Sequence, residues 1–163
     1  MTAEQGPINR FSLSFPGVPA NVSFARATVA AFASQVDQLT VEDLEDIRIA
    51  VSEAVSNAVI HAYPQGTGPV EVEAALFPDR LEISVIDHGC GIADVEQAKT
   101  PAFTTLPRER MGLGLTFVHT YMDEVRISSR LGEGTTVWMA KKLPGTVESD
   151  GGGIGTAVSR PSQ

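Results

Sequence analysis

The chain has 163 residues, 42% hydrophobic and 20% charged, a globular mixture that suits one domain with a real core. Its formal net charge of −8 excludes a general basic surface for nucleic acid or anionic lipid and favours basic or apolar partners. No apolar run approaches the roughly 20 residues that span a bilayer, Met1 to Asn9 lacks a basic-then-apolar leader, and the single cysteine, Cys90, has no companion thiol; the expectation is a cytoplasmic protein with no membrane and no direct nucleic-acid contact.

Residues 1–10 are read as a flexible N-terminus, and Phe11 to Phe15 alternates apolar and polar as a first strand, closed by Pro16, Gly17 and Pro19. A helix follows, with Asn21 or Ser23 as its cap and Phe24, Ala27, Thr28, Ala31 and Phe32 on one side. Thr40, with Asp43 three residues on, starts a second helix whose stripe of Leu44, Ile47, Val51, Ala54, Val55 and Ala58 runs to about Ala62, where Tyr63-Pro64-Gln65-Gly66 breaks it. Val70 to Leu76 and Leu81 to Val85 alternate on either side of a turn through Phe77 to Arg80, which makes a hairpin with one buried face.

Asp87 closes that hairpin, and the poorly periodic, proline-bearing stretch from Ala93 to Arg110 reads as a mobile loop over a site. A helix is expected to resume at Gly112 with Leu115, Val118, His119 and Met122, before a second hairpin, Val125 to Ser129 and Thr135 to Met139, turns through Gly132-Glu133-Gly134. From Pro144 onward the chain has too little apolar surface to fold. The sum is one α+β domain over residues 11–143 with a disordered tail over 144–163. It is a two-layer sandwich in which a mostly antiparallel mixed sheet is covered on one face by helices.

Glu53 and Asn57 stand one helical turn apart, so they can address one ligand together. The carboxylate can accept a proton, and the amide oxygen suits magnesium, a hard cation that leans on nucleotide phosphates for much of its shell. Taken alone, the pair equally describes a solvated helix face. Asp87 precedes two glycines where the backbone turns and a flat ring can approach; it can accept from the exocyclic amine of adenine, or serve only as a turn aspartate. Gly112-x-Gly114 opens a helix, whose unpaired amides attract phosphate, and Arg110, with Arg108 as the alternative, stands just upstream to meet a terminal phosphate. Thr104 and Thr105 add hydroxyls in the same loop, and Gly134-Thr135-Thr136 is either hairpin chemistry or a hydroxyl beside Asp87. His61, His88 and His119 have no zinc-like spacing and are assigned to structure.

Glu53-x-x-x-Asn57, Asp87-x-Gly89-x-Gly91, Gly112-x-Gly114 and Gly134-Thr135-Thr136 resemble the four ATP-site boxes of the GHKL, or Bergerat-fold, ATPases. Val51 to Tyr63, Pro101 to Thr105 and Tyr121 to Val125 narrow the likeness to the anti-sigma factor serine kinases of sporulating bacteria, and most to their sigma F branch, over roughly Phe11 to Leu143. The resemblance implies a homodimer that keeps a sigma factor from RNA polymerase and uses ATP and magnesium to phosphorylate a serine on a small anti-anti-sigma protein. It implies Glu53 as general base, Asn57 as magnesium ligand, Asp87 as adenine reader, and Gly89, Gly91, Gly112, Gly114 and Thr135 as nucleotide contacts. Thr104 and Thr105 belong to a lid, Arg110 meets the terminal phosphate, and Arg26 is a partner contact or else a solvated arginine. The lid segment Leu106 to Arg110 is a residue shorter than in similar proteins, which keeps Arg108 open. The rivals are a kinase for a general stress sigma factor, a nucleotide-dependent binding module without transfer, and a detached histidine-kinase catalytic domain.

Overall fold

In the computed structural model, which describes residues 5–92, 115 and 118–145, the strands alternate inner and outer side chains and the helices cover the inner side. In chain order the elements are β1 (Asn9–Pro16), α1 (Ala20–Ala33), α2 (Val41–Asn57), a π-helical stretch (Ala58–Ala62), β2 (Pro69–Leu76), β3 (Arg80–Asp87), β4 (Glu124–Arg130) and β5 (Gly134–Lys142). The sheet order is β1-β2-β3-β5-β4. All four pairings are antiparallel, in keeping with the mostly antiparallel sheet expected from the sequence, and no parallel pair occurs among the described strands. β1 starts at Asn9, so Asn9 and Arg10, placed ahead of the domain by sequence pattern, pair with Leu76 and Ala75.

The core lies between helices and sheet: Ile47, Val51 and Val55 of α2 are fully buried with Leu81, Ile83 and Met139 of the strands. α2 begins as its sequence predicts. Asp43 N–H donates to Thr40 Oγ1 at 3.1 Å while Thr40 N–H donates to the Asp43 carboxylate at 2.8 Å, a reciprocal cap that satisfies two otherwise orphaned donors. α1 departs from expectation. Its N-cap is Pro19 with no side-chain bond, and Asn21 donates back to the Pro16 carbonyl instead. Its buried face is Ala25, Val29, Ala30, Phe32 and Ala33, which leaves Phe24, Ala27 and Ala31 exposed. With alanine on every side, the helix has almost no apolar asymmetry to read.

Lys141 of β5 is buried and fastens the two layers, donating to Asp46 of α2 at 3.2 Å and to the Tyr121 carbonyl at 3.0 Å. The β4–β5 turn is pinned by Gly134, which has φ +119° and whose missing side chain leaves room for the Asp87 carbonyl; a Cβ there would stand 2.0 Å from that oxygen. Gly134→Ala is expected to destabilise the fold by at least about 2 kcal/mol. Gly132→Ala, with positive φ but open space around it, is expected to cost about 1 kcal/mol. Denaturant midpoints of the two variants check the order.

Candidate nucleotide site

Asn57 is the last residue of α2, and immediately after it the helix widens into the π-helical stretch Ala58–Ala62. Such widenings recur at functional sites because they re-aim side chains and leave backbone carbonyls available. Here the carbonyl of Ala62 accepts from Cys90 N–H at 2.8 Å. The Asn57 Nδ2 group is buried and has no hydrogen-bond partner among the described residues. An unpaired buried amide costs roughly 1–3 kcal/mol, so the position is open to a water or a ligand that can accept from it.

Asp87 ends β3 and is only 8% exposed. Burial pushes its carboxyl pKa above the ordinary 3.8, opposed by hydrogen bonds from the backbone of Gly89 and Thr135. Both donors end on Oδ1, at 3.0 Å and 3.3 Å, so the other carboxylate oxygen carries neither bond. The glycines that follow are required by protein backbone. A Cβ at Gly89 would lie 2.1 Å from the Ala62 carbonyl oxygen, and one at Gly91, with φ +74°, would lie 2.2 Å from that of Arg130. These approaches bring the end of β3 against both the helix end and the second hairpin. Tyr63 adds a clamp: its hydroxyl accepts from His88 N–H at 2.9 Å and donates to the Pro69 carbonyl at 2.6 Å.

The convergence leaves a cavity whose wall includes Asn57, Asp87, Gly91 and Thr135, with Val85 and Val137 among its apolar members. An apolar slot with one buried carboxylate at its edge fits a flat heterocycle that presents a donor. Among the described residues no three His, Cys, Asp or Glu side chains gather to hold a metal ion. An amide oxygen such as that of Asn57 supplies one hard ligand, so a magnesium ion here would take the rest of its shell from a ligand's phosphates and water.

The sequence profile of the histidine kinase-like ATPase domain matches residues 15–141. The anti-sigma F factor of Caldanaerobacter subterraneus subsp. tengcongensis is 48% identical over 136 residues, 83% of this chain and 94% of that protein. The chain belongs to the anti-sigma F factor family. The anti-sigma F factor of Clostridium acetobutylicum is 43% identical over 136 residues, again 83% of this chain and 94% of that protein. Among solved structures, the RsbU and RsbW domains of a Mycobacterium tuberculosis protein match with a TM-score of 0.61 at 24% identity, over 84% of this chain and 33% of that one. The blue-light activated histidine kinase of Erythrobacter litoralis matches with a TM-score of 0.51 at 25% identity, over 66% of this chain and 33% of that one. The chain thus spans nearly the full length of its anti-sigma F relatives and about a third of either solved chain.

Of the residues singled out by sequence, this anti-sigma F family member brings Asn57, Asp87, Gly91 and Thr135 together in one wall. Glu53 is half-buried on α2, one turn before Asn57, and Gly89 is buried against Ala62; neither belongs to that wall. Arg26 stands apart on α1 and donates to Ser52 Oγ at 3.3 Å, tying the two helices. Thr104, Thr105, Arg108, Arg110, Gly112 and Gly114 lie outside the described residues, as do the loop from Ala93 to Arg110 and the helix start at Gly112. Sequence reasoning missed Ser129, whose hydroxyl accepts from Ile92 N–H at 2.7 Å and lies 2.9 Å from Thr135 Oγ1. The available signal was a polar residue on the inner side of β4, following Val125 and Ile127.

The Asp87 pKa sets an expected pH dependence. Only the ionised carboxylate keeps both oxygens as acceptors, one for the Gly89 and Thr135 backbone and one for a ligand amine, so a donor-bearing ligand stabilises that form and draws the raised pKa down. Nucleotide affinity is expected to begin falling at a higher pH than an ordinary carboxylate with pKa 3.8 would allow, and binding in that window should release protons. Calorimetry in two buffers of different ionisation enthalpy reads the released protons.

Proposed function

We propose that this chain sequesters a sporulation sigma factor of the sigma F type and uses ATP to phosphorylate a serine of its anti-anti-sigma antagonist, working as a homodimer in the cytoplasm. The observation that carries the reading is the meeting of Asn57, Asp87 and Thr135 in one cavity of a chain from the anti-sigma F family. Asp87 takes the exocyclic amine of adenine, and the apolar slot takes the ring. Asn57 and the nucleotide phosphates would hold magnesium, which supplies positive charge to the phosphate chain.

In the proposed transfer, Glu53 takes the proton of the target serine as its oxygen bonds to the terminal phosphorus; the bond from that phosphorus to the bridging oxygen breaks and ADP leaves. The assignment of Thr104 and Thr105 to a lid, Gly112 and Gly114 to the phosphates and Arg110, or Arg108, to the terminal phosphate rests on the sequence pattern. The new phosphate then adds charge to the antagonist's surface and weakens its hold on the kinase. Arg26 is the proposed partner contact; its helix also presents Phe24, 51% exposed, two residues before it. No described helix is long and apolar enough to cross a membrane.

The test is incubation with labelled ATP and the candidate antagonist, followed by phosphoamino-acid analysis, with co-purification of the sigma factor in parallel. Phosphoserine and a bound sigma F protein are the expected results. Binding without phosphoserine would leave a nucleotide-dependent sequestering module, and capture of a general stress sigma factor instead would reassign the partner.

A further inference from the structure

Ser129 stands opposite Thr135 in the register of β4 and β5, and its hydroxyl oxygen meets three groups. Ile92 N–H donates to it at 2.7 Å, the Gly134 carbonyl oxygen lies at 3.1 Å, and Thr135 Oγ1 lies at 2.9 Å. A serine hydroxyl has one hydrogen and two lone pairs. The Gly134 carbonyl can only accept, so that contact takes the Ser129 hydrogen. Ile92 takes one lone pair. The remaining contact is then satisfied only if Thr135 donates its own hydrogen to the second lone pair of Ser129.

With its hydrogen committed, Thr135 has only lone pairs left to offer a ligand. Its backbone N–H is committed too, to Asp87 Oδ1. Thr135 and Asp87 both belong to the cavity wall, so the polar groups they offer there are acceptors. A purine with an amine at C6 has two hydrogens for such an edge, directly or through a bridging water, whereas a carbonyl at C6 would set oxygen against oxygen.

We infer that Ser129 is a positioning residue that holds the Thr135 hydroxyl as an acceptor and thereby sets the selectivity of the cavity for 6-aminopurines over 6-oxopurines. The inference rests on the reading of this cavity as the ATP site. Ser129 need not touch the nucleotide. It acts by removing the one hydrogen that would let Thr135 turn and donate to a C6 oxygen.

The experiment compares equilibrium binding of ATP and inosine triphosphate, which carries a carbonyl in place of the C6 amine and an N–H in place of the N1 acceptor, to the full chain and its variants. Ser129→Ala frees the Thr135 hydrogen, and the ATP to inosine triphosphate affinity ratio is expected to narrow about tenfold. Ser129→Thr keeps the hydroxyl and is expected to keep the ratio. A merely structural Ser129 would lower the melting temperature and weaken both nucleotides alike, so an unchanged ratio in Ser129→Ala overturns the inference while leaving the ATP reading intact. Failure of the unsubstituted chain to bind either nucleotide overturns both. Should Ser129→Ala not fold, Ser129→Cys, whose thiol is a weak donor and acceptor, replaces it with the same expected narrowing.

Discussion

Glu53→Gln is expected to bind ATP as the unsubstituted chain does and to transfer phosphate about 10²–10⁴-fold more slowly. Glutamine keeps the shape and the polar end of the side chain but cannot take a proton from the serine hydroxyl at neutral pH. Nucleotide affinity should hold because Glu53 stands one turn before Asn57 on α2 and is not part of the wall formed by Asn57, Asp87 and Thr135. Loss in the transfer step with affinity preserved is the signature of an interaction made only as the reaction proceeds. Single-turnover phosphorylation of the antagonist beside equilibrium nucleotide binding separates the two. If Glu53 is only part of a solvated helix face, both quantities will match the unsubstituted chain.

The elements that could be read from sequence are those decided locally. Thr40 and Asp43 cap α2 by bonds that span three residues, and the hairpins of β2–β3 and β4–β5 follow from alternation and short turns. The burial of α1 could not be read this way, since alanines surround it and the face that packs is chosen by α2. The adjacency of β3 and β5 is likewise beyond local pattern, because the pairing of Asp87 with Thr135 closes a separation of 48 residues. The π-helical stretch ends at Ala62, which lies against Gly89 of the turn after β3.

The site was legible as residue types and less so as reasons. Asn57, Asp87 and Thr135 were selected for their chemistry and do meet. Gly89 and Gly91 were selected as nucleotide contacts, and the described structure adds a second requirement at each, the close approach of the carbonyl of Ala62 or Arg130. Their contribution to the site is to let β3, the end of α2 and the second hairpin come close enough to form one wall. Ser129 escaped notice because its importance lies in a hydrogen count that only distances reveal.

Asp87→Asn is expected to lose ATP affinity by about 100-fold or more while the fold is held or strengthened. The asparagine oxygen can replace Oδ1 as acceptor for Gly89 and Thr135, so the loop keeps its shape. The other oxygen becomes an NH2 group, a donor facing the donor amine of adenine. Stability moves in the opposite direction. Burial raises the folded-state pKa of Asp87 above the unfolded 3.8, so ionisation opposes folding increasingly as pH rises through the folded value. Asparagine has no charge to desolvate, and its advantage is expected above that pKa and to vanish below pH 3.8. Denaturant melts across pH and ATP titrations at neutral pH read the two effects. A buried carboxylate that weakens the fold yet is indispensable to nucleotide binding is retained for recognition. An Asn variant that binds ATP normally would show instead that Asp87 serves the turn alone.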